Sequence, residues 1–485
     1  MRLLTTLVLL ACFSWRATLA DGLPDLGDSS QSTMSTQQER QLGESVMRQF
    51  RASENFVRDP DVSQYLNTLG YKLASNSQDP TIPFEFFALK DRSINAFALP
   101  GGFVGIHTGL LLTAQSESEL ASVLGHEISH VTQHHLARQM ELQSRLTLPM
   151  LAAFALAILA AQRSGGSGDT PVAAIASAQA LGASAQLGYS RDNEREADRL
   201  GMQTLEKSGF DPRAMPRFFE RMQKATMALD NNAFAYLRTH PLTTERIADT
   251  QARVDLLPYK QVPDSPDFSL VREKIRVLQM GPKAAIQYYK YTIDERKFST
   301  EAAAHFGYAV ALMEDRQYDK SLAEAAKAQA MLTHPYIDEL IGDTQLEAGR
   351  TKEAEHIYTE ALARYPDVLG LFYGQVEALL RLNRPKPALD SINQRLNLTS
   401  SDPGLYHLQA RAYSMLNDTA HEHRALAEAN WFSGNPHEAL TQLRIAHQAA
   451  KGDFYLQSSI EARQREIQAV VKEMDKGQNR QKPQQ

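Results

Sequence analysis

Sulfur chemistry is nearly absent from this chain, because Cys12 is the only cysteine among 485 residues. A lone thiol excludes an internal disulfide framework, cysteine-based metal sites and dithiol redox chemistry. Positive charge is not in excess either: the formal net charge is −6 and no basic run interrupts the sequence, which argues against a nucleic-acid binder. Membrane-length apolar runs are also missing inside the chain. The stretch from Leu148 to Ala161 falls short of the roughly 20 residues a spanning helix needs, and a Gly/Ser-rich break at 165–168 follows it. What is present is ordinary globular composition, 43% hydrophobic and 22% charged, on a chain too long for a single core.

The first twenty residues read as an export signal. Arg2 supplies the positive start, Leu3 onward toward Trp15 the apolar region, and Thr18-Leu19-Ala20 the small-residue cleavage site. Cleavage after Ala20 removes Cys12 and leaves an exported chain without a thiol. A rival reading takes Leu9-Leu10-Ala11-Cys12 as a lipobox with Cys12 lipidated. The apolar residues that continue beyond Cys12 favour cleavage after Ala20.

Chemistry concentrates at His126-Glu127-Ile128-Ser129-His130. Ser116 with Glu119 has the form of a capping box, and Leu120, Val123, Leu124 and Ile128 recur at helical spacing, so the motif sits inside a helix. Two histidines four apart lie on one helical face and reach one cation, while Glu127 faces the water that the cation polarises. That arrangement fits zinc-assisted hydrolysis of an amide, with Glu127 as general base and then acid. Gly125, costly in a helix interior by about 1 kcal/mol, predicts a close approach of another backbone or of substrate. A third ligand is available at Glu194, and Asp198 four residues on can orient a ligand histidine, His126 being the expected one. Glu196 is the rival for the metal, but it lies on a different face and has no aspartate at i+4. A set of two histidines and one glutamate leaves a fourth position open, as catalytic sites do. His134 and His135 read as surface or packing residues.

H-E-x-x-H followed by E-x-x-x-D resembles the M48 family of gluzincin metallopeptidases, and the stretch Asn95 to Gly102 running into Thr108 to Leu111 agrees with it. In that family this stretch is a hairpin whose edge strand borders the cleft. The residues support it independently: Phe84, Phe86 and Phe87, then Ile94, Phe97 and Leu99, then Phe103, Val104 and Ile106 are strand-forming runs broken by Pro100-Gly101-Gly102. An edge strand beside a metal site can hold an extended peptide by main-chain hydrogen bonds. The resemblance also implies a His-Pro element and a following arginine near the cleft, here His240-Pro241 and Arg246. His240 is then a transition-state donor or, in a resting form, a fourth zinc ligand; the alternative is that His240-Pro241 only breaks the chain before a helix. Arg246 either stabilises an oxyanion or pairs with a surface carboxylate.

From about Asp264 short helical patterns repeat at a spacing near 34 residues, which resembles the tetratricopeptide repeat. The small-residue positions are read at Ala311, Ala323 and Ala330, then Ala354 and Ala361, Ala378 and Ala388, Ala412, and Ala439 and Ala446, with Pro335 ending a helix. The expected fold is mainly α with a small β-sheet. A gluzincin-type metallopeptidase domain spans 21–262, an α-solenoid of tetratricopeptide-like repeats 263–470, and a disordered polar tail 471–485. Segment 148–187 is either a mobile lid or a pair of core helices. The family resemblance, with this order of segments, implies one Zn²⁺ per chain and a periplasmic location. It further implies degradation of stalled outer-membrane β-barrel proteins, help in assembling others such as LptD, the β-barrel assembly machinery as partner, and peripheral membrane contact. The competing reading is a chaperone or binding module whose zinc site is silent. A non-peptidase metal hydrolase would require the edge strand to be absent or covered.

Overall fold

The computed structural model describes residues 35–142, 190–227 and 234–479. The export segment with Cys12 and the stretch 148–187 lie outside these. Helices are numbered below among the described residues.

Two helices open the peptidase half. α1 (Thr36–Arg51) begins on a complete capping box between Ser35 and Gln38, and α2 (Pro60–Ala74) begins on Asp59, with proline at its first position. Three short strands follow, β1 (Glu85–Leu89), β2 (Ala96–Leu99) and β3 (Phe103–His107), in the order β1-β3-β2. β1 runs parallel and β2 antiparallel to β3, so β2 is an edge and the expected hairpin is β2–β3. Its turn places Gly101 and Gly102 at φ +76° and +89°, a region closed to most side chains.

Behind β3 come α3 (Thr108–Thr113), α4 (Glu117–Thr132), α5 (His135–Leu142), α6 (Arg191–Lys207), α7 (Ala214–Met227), α8 (Phe234–Thr239) and α9 (Thr244–Asp255). α4 carries the H-E-x-x-H motif and starts where Ser116 Oγ accepts the Glu119 N–H at 3.3 Å. The Glu119 carboxylate caps one residue earlier than a strict box, accepting from Gln115 N–H, and it also pairs with Arg221. All sixteen residues of α4 are buried, so this helix is the centre of the domain. α6 crosses it backbone to backbone: a Cβ on Gly201 would stand 3.0 Å from His126 N, and one on Gly125 would stand 3.2 Å from Gly201 O. The close approach expected at Gly125 is therefore another backbone.

The second half is a series of helix pairs, matching the expected solenoid. α10 (Pro266–Met280) and α11 (Pro282–Asp294) lead into α12 (Glu301–Glu314) with α13 (Tyr318–Met331), and α14 (Pro335–Glu347) with α15 (Thr351–Arg364). α16 (Leu369–Arg381) with α17 (Pro385–Leu396), α18 (Pro403–Met415) with α19 (Thr419–Phe432), and α20 (Pro436–Ala449) with α21 (Phe454–Asn479) complete it. Leading helices start at Glu301, Pro335, Leu369, Pro403 and Pro436, a spacing of 34, 34, 34 and 33 residues. The turns repeat as well, since Arg316, Gly349, Asn383 and Asn417 each take a left-handed φ after a helix end.

Three details depart from the sequence reading. In α13 the buried stripe is Ser321, Ala325 and Ala328, while Ala323 and Ala330 are exposed; the assumed register was two residues, or half a helical turn, out of phase. Pro335 opens α14 instead of ending a helix, the position where a missing N–H costs nothing. Helix α21 continues to Asn479, through most of the expected polar tail, because Ile460, Ile467 and Val471 share one face that packs into the last hydrophobic cluster.

The two halves share one core. The largest hydrophobic cluster runs from Val57 through the motif helix to Phe306, Ile337 and Leu340. A polar knot crosses the same junction: Lys274 of α10 lies 3.1 Å from Asp59, 2.5 Å from Asp61 and 3.7 Å from Glu339 of α14. Farther along, Gln64 exchanges hydrogen bonds with Asp367 O and Leu369 N–H, and Gly434 (φ +84°) sits directly against Arg48 O. One cation thus serves three carboxylates, and burial holds the Asp61 and Glu339 pKa values up. Lys274→Met should cost about 3–5 kcal/mol. Because carboxyls with raised folded pKa values contribute stability that is lost as pH rises through those values, the loss in urea unfolding should be larger at pH 8 than at pH 5.

Candidate metal centre and active site

The crossing of α4 and α6 brings the sequence-selected residues together. His126 and His130 project from one face of α4, Glu194 and Asp198 from the facing side of α6, and His240 follows α8; each is at most 2% exposed. His126 Nε2 lies 3.0 Å from His130 Nε2, 3.5 Å from Glu194 Oε2 and 3.3 Å from His240 Nδ1. Glu194 Oε1 lies 3.4 Å from His130 Nε2 and 3.1 Å from His240 Nδ1. Donor atoms bound tetrahedrally to zinc at its usual ligand distances stand about 3.3 Å apart. The observed spacings scatter around that edge length, so the donor set fits a small divalent cation. Among the described residues, this is the group of His, Asp and Glu side chains placed to hold a metal.

Glu127 stands beside the cluster rather than in it. Its oxygens are buried, and His240 Nε2 is 3.3 Å from Oε1. Burial raises its pKa, opposed by the charge of His240 and His126 and by the Ala98 amide of β2. A carboxylate pushed upward beside a metal site is suited to take and return a proton.

The surrounding charges are themselves held. His126 Nδ1 is 2.9 Å from Asp198 Oδ1, and although burial opposes it, the bonds to Asp198 and Glu194 raise the metal-free His126 pKa to about 9. Arg246 Nε and Nη2 donate to Asp198 at 2.7 and 2.8 Å. Its Nη1 lies 2.6 Å from Glu194 Oε2 and 2.9 Å from Pro241 O. Every branch of the guanidinium is committed to this buried network, so Arg246 pairs with buried carboxylates and not with a surface one. Against the burial penalty, His240 and Arg246 hold the Glu194 carboxyl well down, and Arg246 lowers that of Asp198.

Three participants escaped the sequence reading. His135 is fully buried, with Nδ1 2.8 Å from His130 Nδ1 and Nε2 3.1 Å from Glu196 Oε2, so it is not a surface residue. Glu196 does not approach the metal cluster; it binds His135 and Arg138. Tyr236, four residues before His240, stacks on that ring at 4.7 Å and 22°. Its i, i+4 spacing was the available signal. For His135 the signal was weaker: a third histidine just past the motif.

A helix with paired histidines, a crossing helix with a buried carboxylate, and an edge strand alongside define a metallopeptidase of gluzincin type. Residues 60–254 match the family described as Peptidase family M48. The chain is 35% identical over 458 residues to the beta-barrel assembly-enhancing protease of Escherichia coli K12, covering 92% of this chain and 91% of that one. It is 38% identical over 326 residues, 65% of each chain, to a putative beta-barrel assembly-enhancing protease of Vibrio cholerae. The mitochondrial metalloendopeptidase OMA1 of Schizosaccharomyces pombe is 29% identical over 198 residues, 41% of this chain and 54% of that one. This protein belongs to Peptidase family M48 and is a metalloendopeptidase that works with a divalent metal. No helix among the described residues is long and apolar enough to cross a membrane.

Two substitutions separate the roles of the supporting charges. Arg246→Ala should lower thermal stability by about 3–5 kcal/mol, because two buried carboxylates lose their cation. Asp198→Asn should weaken metal binding about 10- to 100-fold in a chelator competition while the fold persists.

Proposed function

We propose that this protein is a periplasmic zinc endopeptidase that removes misassembled outer-membrane β-barrel proteins and assists the assembly of others. In this reading residues 1–20 direct export, residues 21–262 form the peptidase, and the repeats from 263 recruit substrate or dock on the assembly machinery. The observation that carries the enzymatic part is the near-tetrahedral spacing of four buried donors with Glu127 at their side. The biological part is supported by the names of the Escherichia coli and Vibrio cholerae relatives.

His126, His130 and Glu194 hold the zinc. Bound there, zinc supplies Lewis acidity toward the scissile carbonyl and acidifies water. Glu127 takes the proton from the attacking water and delivers it to the leaving amine. Asp198 fixes His126, and Arg246 fixes Asp198 and Glu194. Strand β2 binds the substrate backbone in extended form, as suits an unfolded barrel strand. His240 closes the resting site: its Nδ1 stands at ligand spacing from His126 and Glu194 while its Nε2 faces Glu127. Opening requires His240 to leave both. The buried state of this ring favours a latent enzyme over a chaperone with a dead site, because Glu127 remains in place for catalysis.

Glu127→Gln should retain one metal per chain by elemental analysis and reduce cleavage of an unfolded β-barrel substrate about 10²- to 10⁴-fold. His240→Ala should raise basal cleavage while metal content stays unchanged. If Glu127→Gln cleaves at the parental rate, the assignment of the base fails.

A further inference from the structure

The two motif histidines are supported differently. His126 leans on a carboxylate, Asp198, as metal-binding imidazoles commonly do. His130 leans on another imidazole: its Nδ1 is 2.8 Å from His135 Nδ1, with the rings at 4.9 Å and 70°. Two like nitrogens at that distance require one to carry a proton and the other to accept it. His130 turns Nε2 toward His126 and Glu194, so a cation in the cluster takes Nε2 and leaves the proton on Nδ1. His135 Nδ1 must then accept. Its own proton is forced to Nε2, which points at Glu196 Oε2, 3.1 Å away. Glu196 is one-third exposed on its side chain, and Arg138 shares the same oxygen at 3.1 Å. The chain His130, His135, Glu196 thus leads from the buried cluster to solvent with one consistent set of donors and acceptors. The local backbone supports this link: His134 takes φ +50° between α4 and α5, and His135 follows directly against His130.

We propose that His135 is a positioning residue of the metal centre, locking His130 in its metal-binding tautomer and anchoring it, through Glu196, to the protein surface. This rests on His130 being a ligand, as assigned under the proposed function. The test uses the full-length chain, titrated with Zn²⁺ against a chromophoric chelator and with Co²⁺ for its visible spectrum. His135→Leu should bind metal about 10- to 100-fold more weakly with an altered Co²⁺ spectrum, whereas His135→Asn, whose Oδ1 replaces the accepting nitrogen, should stay within about three-fold of the parent. Glu196→Ala should lose about three- to ten-fold, since it removes the outer anchor but not the acceptor. A folded His135→Leu chain with parental affinity and spectrum overturns the proposal, as does equal loss in the Leu and Asn variants. Should His135→Leu fail to fold, Glu196→Ala decides, and unchanged affinity and spectrum there overturn it. Failure of the parent chain to bind either metal would be a different result, overturning the metal centre itself.

Discussion

The approach of two helix backbones at Gly125 and Gly201 is the constraint on which the rest of the structure depends. Imidazoles on α4 and carboxylates on α6 can meet only if the helices cross without side chains between them, and a Cβ at either glycine would meet backbone at 3.0 to 3.2 Å. Glycine in a helix interior costs about 1 kcal/mol. The fold accepts that cost twice at one crossing, which makes sense only if the crossing places something that matters more. What it places is a buried polar set: three carboxyl groups, one guanidinium and three imidazole rings. Such a set contributes little to stability, because desolvation consumes most of the attraction. The all-buried α4 and its apolar neighbours supply the stability, and the site is carried by them.

Much of this was legible because it is local and periodic. H-E-x-x-H on a capped helix, the i, i+4 relation of Glu194 and Asp198, the glycine turn at 101–102 and the 34-residue repeat all follow from spacing along the chain. The cost of Gly125 was a genuine tertiary signal, since a residue that weakens its own helix must answer to a neighbour. Residues whose roles depend on a turn or on a distant neighbour were hidden. His135 counts only because His134 adopts a left-handed turn, and Glu196, set aside for facing the wrong way from the metal, faces the right way for His135. Lys274 is one lysine among 51 basic residues until α2 and α14 meet around it. The phase error in α13 has a simpler origin: in an alanine-rich helix, alanine alone does not say which face is buried.

The sequence also suggested a boundary near residue 262 that packing does not respect. Apolar side chains of α10, α12 and α14 belong to the same cluster as those of α2, α3 and α4, and Lys274 ties a carboxylate pair of the first half to Glu339 of the second. A hinge at this junction would open the core and strand a buried cation or its partners. The first repeats are therefore part of the foundation of the peptidase, and relative motion of the halves is not the cheapest way to regulate access.

That leaves the short path through His240. One ring touches both functions of the proposed site: Nδ1 stands among the metal donors and Nε2 faces the carboxylate that would handle the proton. A single displacement would free a coordination position and the general base together, so partial opening gains nothing and the two events are coupled by geometry. The ring is held by stacking on Tyr236, by the Tyr236 carbonyl that accepts its backbone N–H, and through Pro241 by Arg246, which also braces Glu194 and Asp198. The restraint on this ring and the support of the metal donors thus share one arginine. Loosening Arg246 to release His240 would damage the centre it exposes. On the proposed reading, release falls instead to the α8 side, where the ring is held by the Tyr236 stack and not by an ion pair.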